Sequence, residues 1–153
     1  ALPICLTWGA EDLGAAVGAS ANVDANKEWT QPYLLVRSLC LFAAHAASVQ
    51  AIDTVMADFR DLEYLEVVCN EARRDGFTGK ICIHPAQVEV TNKAFSPSPA
   101  ELEHAHAVID LFARNPDAGT LQLDGKMVDR PHLTQAERII ALAKSIEARH
   151  GAA

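Results

Sequence analysis

Three short apolar segments, each followed by a stretch with helical spacing, are the feature that most limits the possible folds. They occupy residues 4–7, 50–56 and 80–83. Strands that alternate with helices predict a parallel sheet, because each crossover helix returns the chain to the edge where the previous strand started. Since a parallel sheet is covered on both faces, three strands are too few to complete one. The sequence therefore predicts an α/β fold made of three strand–helix units of a larger sheet.

Helix signals lie between and after these segments. Apolar residues at helical spacing predict helices that begin near Pro32, Asp61, Pro85, Ser98 and Thr134. Ser98 and Thr134 each precede a glutamate by three residues, which is the capping-box pattern. Residues 14–31 show no period, so we expect a long loop there. Asp124 and Gly125 stand between two alternating segments and predict a β-hairpin.

Charge and cysteine spacing exclude several classes of partner. The 153 residues carry a net charge of −7, and no basic cluster exceeds Arg73 and Arg74, which argues against a nucleic-acid or anionic-lipid surface. The longest apolar run, 33–49, is interrupted by charged and polar residues, so we expect no membrane span. The four cysteines are far apart, which is typical of reduced core residues in a cytoplasmic protein. Because strand residues follow Ala1 directly, we expect a piece of a longer chain.

Two carboxylates directly follow the first predicted strand. Gly9 ends this strand, and we expect a tight or left-handed turn there before Glu11 and Asp12. Ligands and metal ions bind at the carboxyl ends of parallel strands, where variable loops stand on a rigid scaffold. Asp12 is therefore a candidate ligand for a hard metal ion. The alternative is that one of the two carboxylates caps a helix or is a solvated loop charge.

Three motifs carry a resemblance to a known family. They are WGAEDL at 8–13, GFTGKICIHPAQ at 76–87 and DGKMVD at 124–129. In this order and spacing they resemble the citrate lyase beta subunit and malyl-CoA lyase family, within the aldolase and citrate lyase superfamily. The resemblance implies the C-terminal part of a (β/α)8 TIM barrel, with its last three strand–helix units at 1–95 and a C-terminal helix–hairpin–helix extension at 96–153. The first five strands of such a barrel have no counterpart here.

The resemblance also implies roles for individual residues. Asp12 matches the aspartate that binds Mg2+, whose glutamate partner lies on an earlier strand. Asp129 matches an acidic residue that a lid in the C-terminal extension supplies to the active site of a neighbouring subunit. Ile83, His84 and Pro85 match a segment beside the thioester of an acyl-CoA. The implied protein is a homo-oligomeric, Mg2+-dependent carbon–carbon lyase that acts on an acyl-CoA or acyl-carrier thioester of a short oxo or hydroxy acid.

The chemistry of such a reaction needs these residue types. Breaking or forming a carbon–carbon bond next to a carbonyl passes through an enolate, so an oxyanion must be stabilised and a proton must move. Mg2+ held by carboxylates can chelate an oxo or hydroxy acid and act as a Lewis acid. A second acid or base on a closing lid typically contributes ~10²–10⁴-fold. Asp129 is the candidate for this catalytic group.

Each candidate has a second interpretation. Asp129, just before a basic residue and a proline, also fits an ordinary turn. His84 also fits a helix cap or a packed residue that donates to a backbone carbonyl. Lys80 could bind a phosphate or carboxylate, but we expect an exposed lysine at the entry to a strand. Glu11 is expected to point outward or orient water, since successive side chains diverge.

Two other functions stay open at this stage. One is a CoA-independent aldolase that splits hydroxy-oxo acids into pyruvate and an aldehyde, against which the hairpin lid argues. The other is a non-catalytic half-barrel, either a fragment or a scaffold that pairs with another chain. Three strands would leave apolar side chains exposed on one side of the sheet, and burying each is worth about 1.5–3 kcal/mol. We therefore expect an oligomer.

Overall fold

The computed structural model describes residues 3–150, with the side chains of residues 3–149. Its elements are β1 (Cys5–Thr7), α1 (Ala10–Val17), α2 (Gln31–Ala46), β2 (Gln50–Asp53), α3 (Leu62–Asp75), β3 (Gly79–Lys80), α4 (Ala86–Phe95), α5 (Pro99–Arg114), β4 (Thr120–Leu123), β5 (Lys126–Asp129) and α6 (Arg130–His150). The chain divides between Phe95 and Ser96 into two compact units. Within residues 3–150, no helix has the combined length and apolar character that a membrane crossing requires.

The first unit contains the parallel sheet that the alternation of strands and helices predicts. Its strand order is β1-β2-β3, and both pairs are parallel. The third strand is shorter than predicted, because only Gly79 and Lys80 pair with β2. Ile81 N–H still donates to Asp53 O at 3.1 Å, and the chain then turns away towards α4.

One face of this sheet is covered by helices and carries the core of the unit. Ala51 at the centre of the sheet is fully buried, as are Ala44 of α2 and Ala72 of α3. Larger side chains, among them Trp8 and Tyr33, complete the same cluster. The small side chains let the two helices approach the sheet closely. Packing against this face therefore fixes the strands on which the carboxyl-end loops stand.

The other face of the sheet is open, but it is less apolar than we expected. Cys5, Thr7 and Gln50 are exposed there, and Ile52 is half-buried. The prediction that Cys5 is a core residue is therefore wrong. The large exposed apolar side chains lie instead on helices, including Leu35, Leu39 and Phe42 on α2, which are 57–66% exposed.

Two helix starts differ from the prediction. α1 occupies Ala10–Val17, part of which we expected to be loop, and ends at Gly18 with φ 71°. α6 begins at Arg130 and not near Thr134, whose hydroxyl donates to Arg130 O at 3.3 Å inside the helix. The pattern at Thr134 was misleading because the helix had already begun four residues earlier. The capping box at Ser98 is confirmed.

The second unit packs α5 and α6 around the predicted hairpin. β4 and β5 pair antiparallel, and Asp124 and Gly125 both have positive φ, 50° and 77°. Such a pair of left-handed residues is typical of a two-residue hairpin turn. Val128 of β5 is buried against apolar residues of both helices. The hairpin prediction is therefore confirmed, and β5 leads directly into α6.

Candidate functional site

Asp12 lies just beyond the carboxyl end of β1, in the first turn of α1. Gly9, the residue before this helix, has φ −112° and ψ 106°, so the left-handed turn considered for it is wrong. What Gly9 provides is space, because a Cβ there would lie 2.6 Å from Oδ2 of Asp12. The carboxylate thus folds back towards the end of the strand and remains exposed to solvent. This is the edge of a parallel sheet at which ligands bind.

Glu11, the neighbouring carboxylate, is engaged elsewhere. Its Oε1 accepts a hydrogen bond from Asn22 Nδ2 at 2.8 Å. Asn22 belongs to the loop between α1 and α2, and its carbonyl also accepts from Thr30 N–H at 3.1 Å. Glu11 therefore anchors this loop, while Asp12 is the carboxylate left at the strand end.

Polar contacts tie together the loops that follow the three strands. Ala10 N–H donates to Thr54 Oγ1 at 3.4 Å, which joins the loops after β1 and β2. The side chain of Gln87 joins the loops after β2 and β3: its Nε2 donates to Met56 O at 3.0 Å, and its Oε1 accepts from Ile83 N–H at 2.8 Å. Gln87 is only 1% exposed. The carboxyl edge is thus a connected surface rather than three independent loops.

His84 caps the start of α4. Its Nδ1 accepts a hydrogen bond from Ala86 N–H at 3.1 Å, and the backbone N–H of His84 donates to Gln87 Oε1 at 3.3 Å. An accepting Nδ1 places the proton of the neutral ring on Nε2. The ring stacks on Phe59, with centroids 4.4 Å apart. His84 is exposed, as are Ile83 and Pro85, so capping leaves its Nε2–H available as a donor at the carboxyl edge.

A buried ionic cluster centres on Asp53, the last residue of β2. Trp8 Nε1 donates to Asp53 Oδ1 at 2.8 Å, and Arg37 Nε approaches the same oxygen at 3.3 Å. Lys80 Nζ lies 3.8 Å from Oδ2, which is an ion pair without a hydrogen bond. The side chains of Asp53 and Lys80 are 4% and 3% exposed. The prediction of an exposed Lys80 is therefore wrong.

The electrostatics of this cluster follow from its burial. Burial lowers the pKa of Lys80 by disfavouring the charged amine, and Asp53 partly offsets this by attraction. Burial also disfavours ionised Asp75, but hydrogen bonds and charge from Arg37 and Arg74 outweigh it and hold the pKa of Asp75 below its ordinary value. Arg37 NH1 donates to Asp75 Oδ2 at 2.7 Å. Arg37 thus joins α2 to the end of β2 and to the last turn of α3.

Asp129 belongs to the second unit, where it is the last residue of β5. Its Oδ1 lies 2.5 Å from Nδ1 of His132. The hydrogen bond with His132 lowers the pKa of Asp129 and so favours its carboxylate form. The side chain of Asp129 is 34% exposed. A carboxylate held in this way can accept a proton or return one.

The described residues contain one good candidate for a metal ligand rather than a complete set. Within residues 3–150, no three His, Cys, Asp or Glu side chains form a group that could hold a metal ion. Asp12 offers an exposed carboxylate beside a glycine whose missing Cβ makes room for it. Mg2+ is usually held by one or two carboxylates with several waters, so a single aspartate fits a partial share of such a site.

Sequence reasoning missed three residues that organise these sites. Asp53 was passed over although a carboxylate between apolar strand residues signals a buried charge with partners. Gln87 lies in one of the family motifs, but only the structure shows its bonds to two loops. His132 stands three residues after Asp129, a helical spacing that would have revealed it had α6 been placed correctly.

Comparison with known proteins identifies relatives over most of the chain. A family model described as C-C_Bond_Lyase of the TIM-barrel fold matches residues 33–146. Rat mitochondrial citramalyl-CoA lyase is 38% identical over 144 residues, which are 93% of this chain and 41% of that protein. A (3S)-malyl-CoA thioesterase of Cereibacter sphaeroides is 44% identical over 112 residues, covering 72% of this chain and 39% of that one.

A solved structure agrees with these sequence matches. The protein CitE of Mycobacterium tuberculosis, in complex with magnesium, acetoacetate and coenzyme A, superposes with a TM-score of 0.79 at 38% identity. The match covers 90% of this chain and 51% of that one. The chain thus spans about half the length of its relatives, or somewhat less. The resemblance carried by the three motifs is confirmed, and the chain belongs to the family of carbon–carbon bond lyases of the TIM-barrel fold, where it corresponds to the C-terminal half.

Proposed function

We propose that this chain is the C-terminal half of a Mg2+-dependent lyase that breaks or forms a carbon–carbon bond in the acyl-CoA or acyl-carrier thioester of a short oxo or hydroxy acid. The observation that carries the proposal is the exposed Asp12 carboxylate, seated over Gly9 at the carboxyl end of β1. A solved relative from M. tuberculosis contains magnesium, acetoacetate and coenzyme A. Another contains oxaloacetate and magnesium. These ligands match the metal, the short oxo acid and the coenzyme A part of the thioester that the proposal requires.

Each candidate residue has a defined task in this reaction. Asp12 would hold Mg2+, which supplies Lewis-acid polarisation of the oxo or hydroxy acid when bound. Ile83, His84 and Pro85 would line the thioester, with His84 Nε2–H as a hydrogen-bond donor. Asp129 would move the proton at the carbon next to the thioester carbonyl. The carboxylate form favoured by His132 suits the proton-accepting direction of this step.

The proposal extends to the assembly of the protein. Asp129 would act in the active site of a neighbouring subunit, with the hairpin of β4 and β5 as part of a lid. The exposed apolar residues Leu35, Leu39 and Phe42 on α2 are consistent with burial in an assembled protein. We keep the cytoplasm as the proposed location, although the rat relative is named as mitochondrial.

Metal binding and turnover test the proposal in separate steps. This chain is combined with the N-terminal half of the M. tuberculosis relative to form a completed barrel. Mg2+ binding to this completed barrel is measured by calorimetry. Asp12→Asn should weaken binding at least about tenfold by removing a charged ligand. Asp110→Asn, an exposed change on α5, is the matched control and should leave binding unchanged. Unchanged affinity in the Asp12 variant would remove the metal assignment.

Turnover is measured with malyl-CoA and citramalyl-CoA. Asp129→Asn should abolish carbon–carbon cleavage while leaving Mg2+ affinity intact. If cleavage continues, the role assigned to Asp129 is wrong.

A thioesterase is the second candidate, because one relative carries that name at 44% identity. The two reactions differ in their products. Cleavage of a malyl thioester releases acetyl-CoA and an oxo acid, whereas hydrolysis releases free coenzyme A and the intact hydroxy acid. Mass spectrometry of the same reaction mixtures therefore decides between them.

A further inference from the structure

His132 and Asp129 form a close pair at the junction of β5 and α6. Nδ1 of His132 lies 2.5 Å from Asp129 Oδ1. The same nitrogen lies 3.2 Å from the backbone nitrogen of Asp129, whose N–H donates to it. Both contacts involve the same ring atom. Whether Nδ1 carries a proton therefore decides which of the two contacts is a hydrogen bond.

The two contacts need different forms of the ring. A nitrogen that accepts from the Asp129 N–H must present its lone pair, whereas a nitrogen that donates to a carboxylate must carry a hydrogen. When one proton is added to the Asp129 carboxylate beside a neutral His132 ring, both contacts are satisfied if the proton lies on Oδ1 and points at Nδ1. When the proton moves to Nδ1, the result is an imidazolium facing a carboxylate. A single proton between the two residues can therefore be carried by either Asp129 Oδ1 or His132 Nδ1.

The pair stands on a fixed frame. Val128, next to Asp129, is 3% exposed, and Ala136, one turn beyond His132, is 4% exposed. Between them, Arg130 places its guanidinium 5.3 Å from the centre of the Phe112 ring. Arg130 also donates to Pro116 O. The backbone on both sides of Asp129 and His132 is therefore held by buried or bonded neighbours.

Titratable side chains of α5 lie beside His132. A cavity of about 400 Å³ lies beside His132, and α5 contributes His104 and Glu101 to its wall. Glu101 is held by the capping box at Ser98. Opposite Asp129 in the hairpin stands the uncharged Thr120. His104 is thus the neighbouring ring whose titration must be distinguished from that of His132.

We propose that His132 is a positioning residue that holds Asp129 and shares its proton, so that the pair carries out the proton transfer assigned to Asp129. This inference rests on the proposed function. In the condensation direction, Asp129 Oδ takes the proton from the carbon next to the thioester carbonyl, and the C–H electron pair becomes the enolate. The proton then lies between Oδ1 and Nδ1. In the cleavage direction the same proton returns to the enolate carbon, and Asp129 is again a carboxylate.

Nuclear magnetic resonance on this chain tests the pair without any activity. The Asp129 carboxyl carbon and the His132 ring nitrogens are followed as a function of pH. In Asp129→Asn, the chemical shift of His132 Nδ1 should change, because an amide replaces the carboxylate that this nitrogen contacts. In His132→Gln, the Asp129 transition should move up. His104→Gln is the control and should change neither. If Asp129 titrates identically without His132, the inference is overturned.

Kinetics on the completed barrel separate positioning from proton sharing. In the condensation direction, where Asp129 must start as a carboxylate, His132→Gln should lower kcat about tenfold or more, shift the acidic limb of the pH profile upward, and leave KM for the thioester unchanged. His132→Asn places an amide near the position of Nδ1. It should restore the position of Asp129 but cannot share its proton. A wild-type pH profile and kcat in this variant would overturn proton sharing. If Asp129→Asn keeps its turnover, the catalytic role proposed for Asp129 fails, while the resonance result still reports on the pair.

Discussion

Oδ2 of Asp12 lies 2.6 Å from the point where a Cβ on Gly9 would stand. Gly9→Ala should therefore displace the carboxylate, since atoms this close cannot coexist. The backbone of Gly9 is extended, so alanine is not strained there. We expect Mg2+ affinity of the completed barrel to fall about tenfold, with little loss of stability. Calorimetry and thermal unfolding measure the two effects.

Gly119→Ala is the matched control for this substitution. Gly119 does not have a positive φ, and a Cβ there would meet nothing within 4 Å. Mg2+ affinity should stay at the wild-type value. If Gly9→Ala behaves in the same way, Asp12 does not depend on the space over Gly9.

Asp53 and Lys80 should respond unequally to substitution. Asp53→Ala leaves a buried lysine without its ion-pair partner, and we expect a loss of about 3–5 kcal/mol in the free energy of unfolding. Lys80→Met leaves Asp53 bonded to Trp8 and Arg37, so we expect a loss of no more than about 1 kcal/mol. Urea unfolding measures both.

An exposed pair provides the comparison. Lys93 and Glu66 are 3.2 Å apart with side chains 75% and 47% exposed. Lys93→Met should change stability by less than about 1 kcal/mol. Equal effects of Asp53→Ala and Lys80→Met would show that Asp53 is not the centre of the cluster.

Gln87→Leu tests the connection between the loops. The change leaves Ile83 N–H and Met56 O, both partly buried, without their side-chain partner, and such a group costs at most about 1–3 kcal/mol, its cost when fully buried. We expect unfolding at lower urea and faster amide exchange at residues 83–84. Gln135→Leu, an exposed change on α6, should alter stability by no more than about 0.5 kcal/mol. Unchanged exchange at residues 83–84 would contradict the assigned role of Gln87.

Asp75 should make the free energy of unfolding depend on pH in the acidic range. Its pKa in the folded protein lies below the ordinary 3.8, because Arg37 and Arg74 together outweigh the effect of burial. The carboxylate therefore stabilises the fold above about pH 4, and this contribution is lost as the pH falls through the folded pKa. In Asp75→Asn the fall in stability below about pH 4 should be shallower. Urea unfolding between pH 3 and pH 6 measures the slope, and an unchanged slope would contradict the prediction.

The sequence alone determined the elements whose signals are local. Helix and hairpin signals depend on neighbouring residues, so the Ser98 capping box, the Asp61 cap and the turn at Asp124 and Gly125 could be predicted. Strand alternation gave the parallel pairing, and three motifs gave the family. Local signals also misled, since the pattern at Thr134 falls inside a helix that begins at Arg130.

Only the tertiary structure decided which polar side chains are buried and what they contact. Lys80 and Asp53 are 27 residues apart along the chain, and only the register of β2 and β3 makes them partners. The reach of Gln87 to Met56 depends in the same way on where two loops lie. Burial and long-range contact depend on how the whole chain packs, which no short segment specifies.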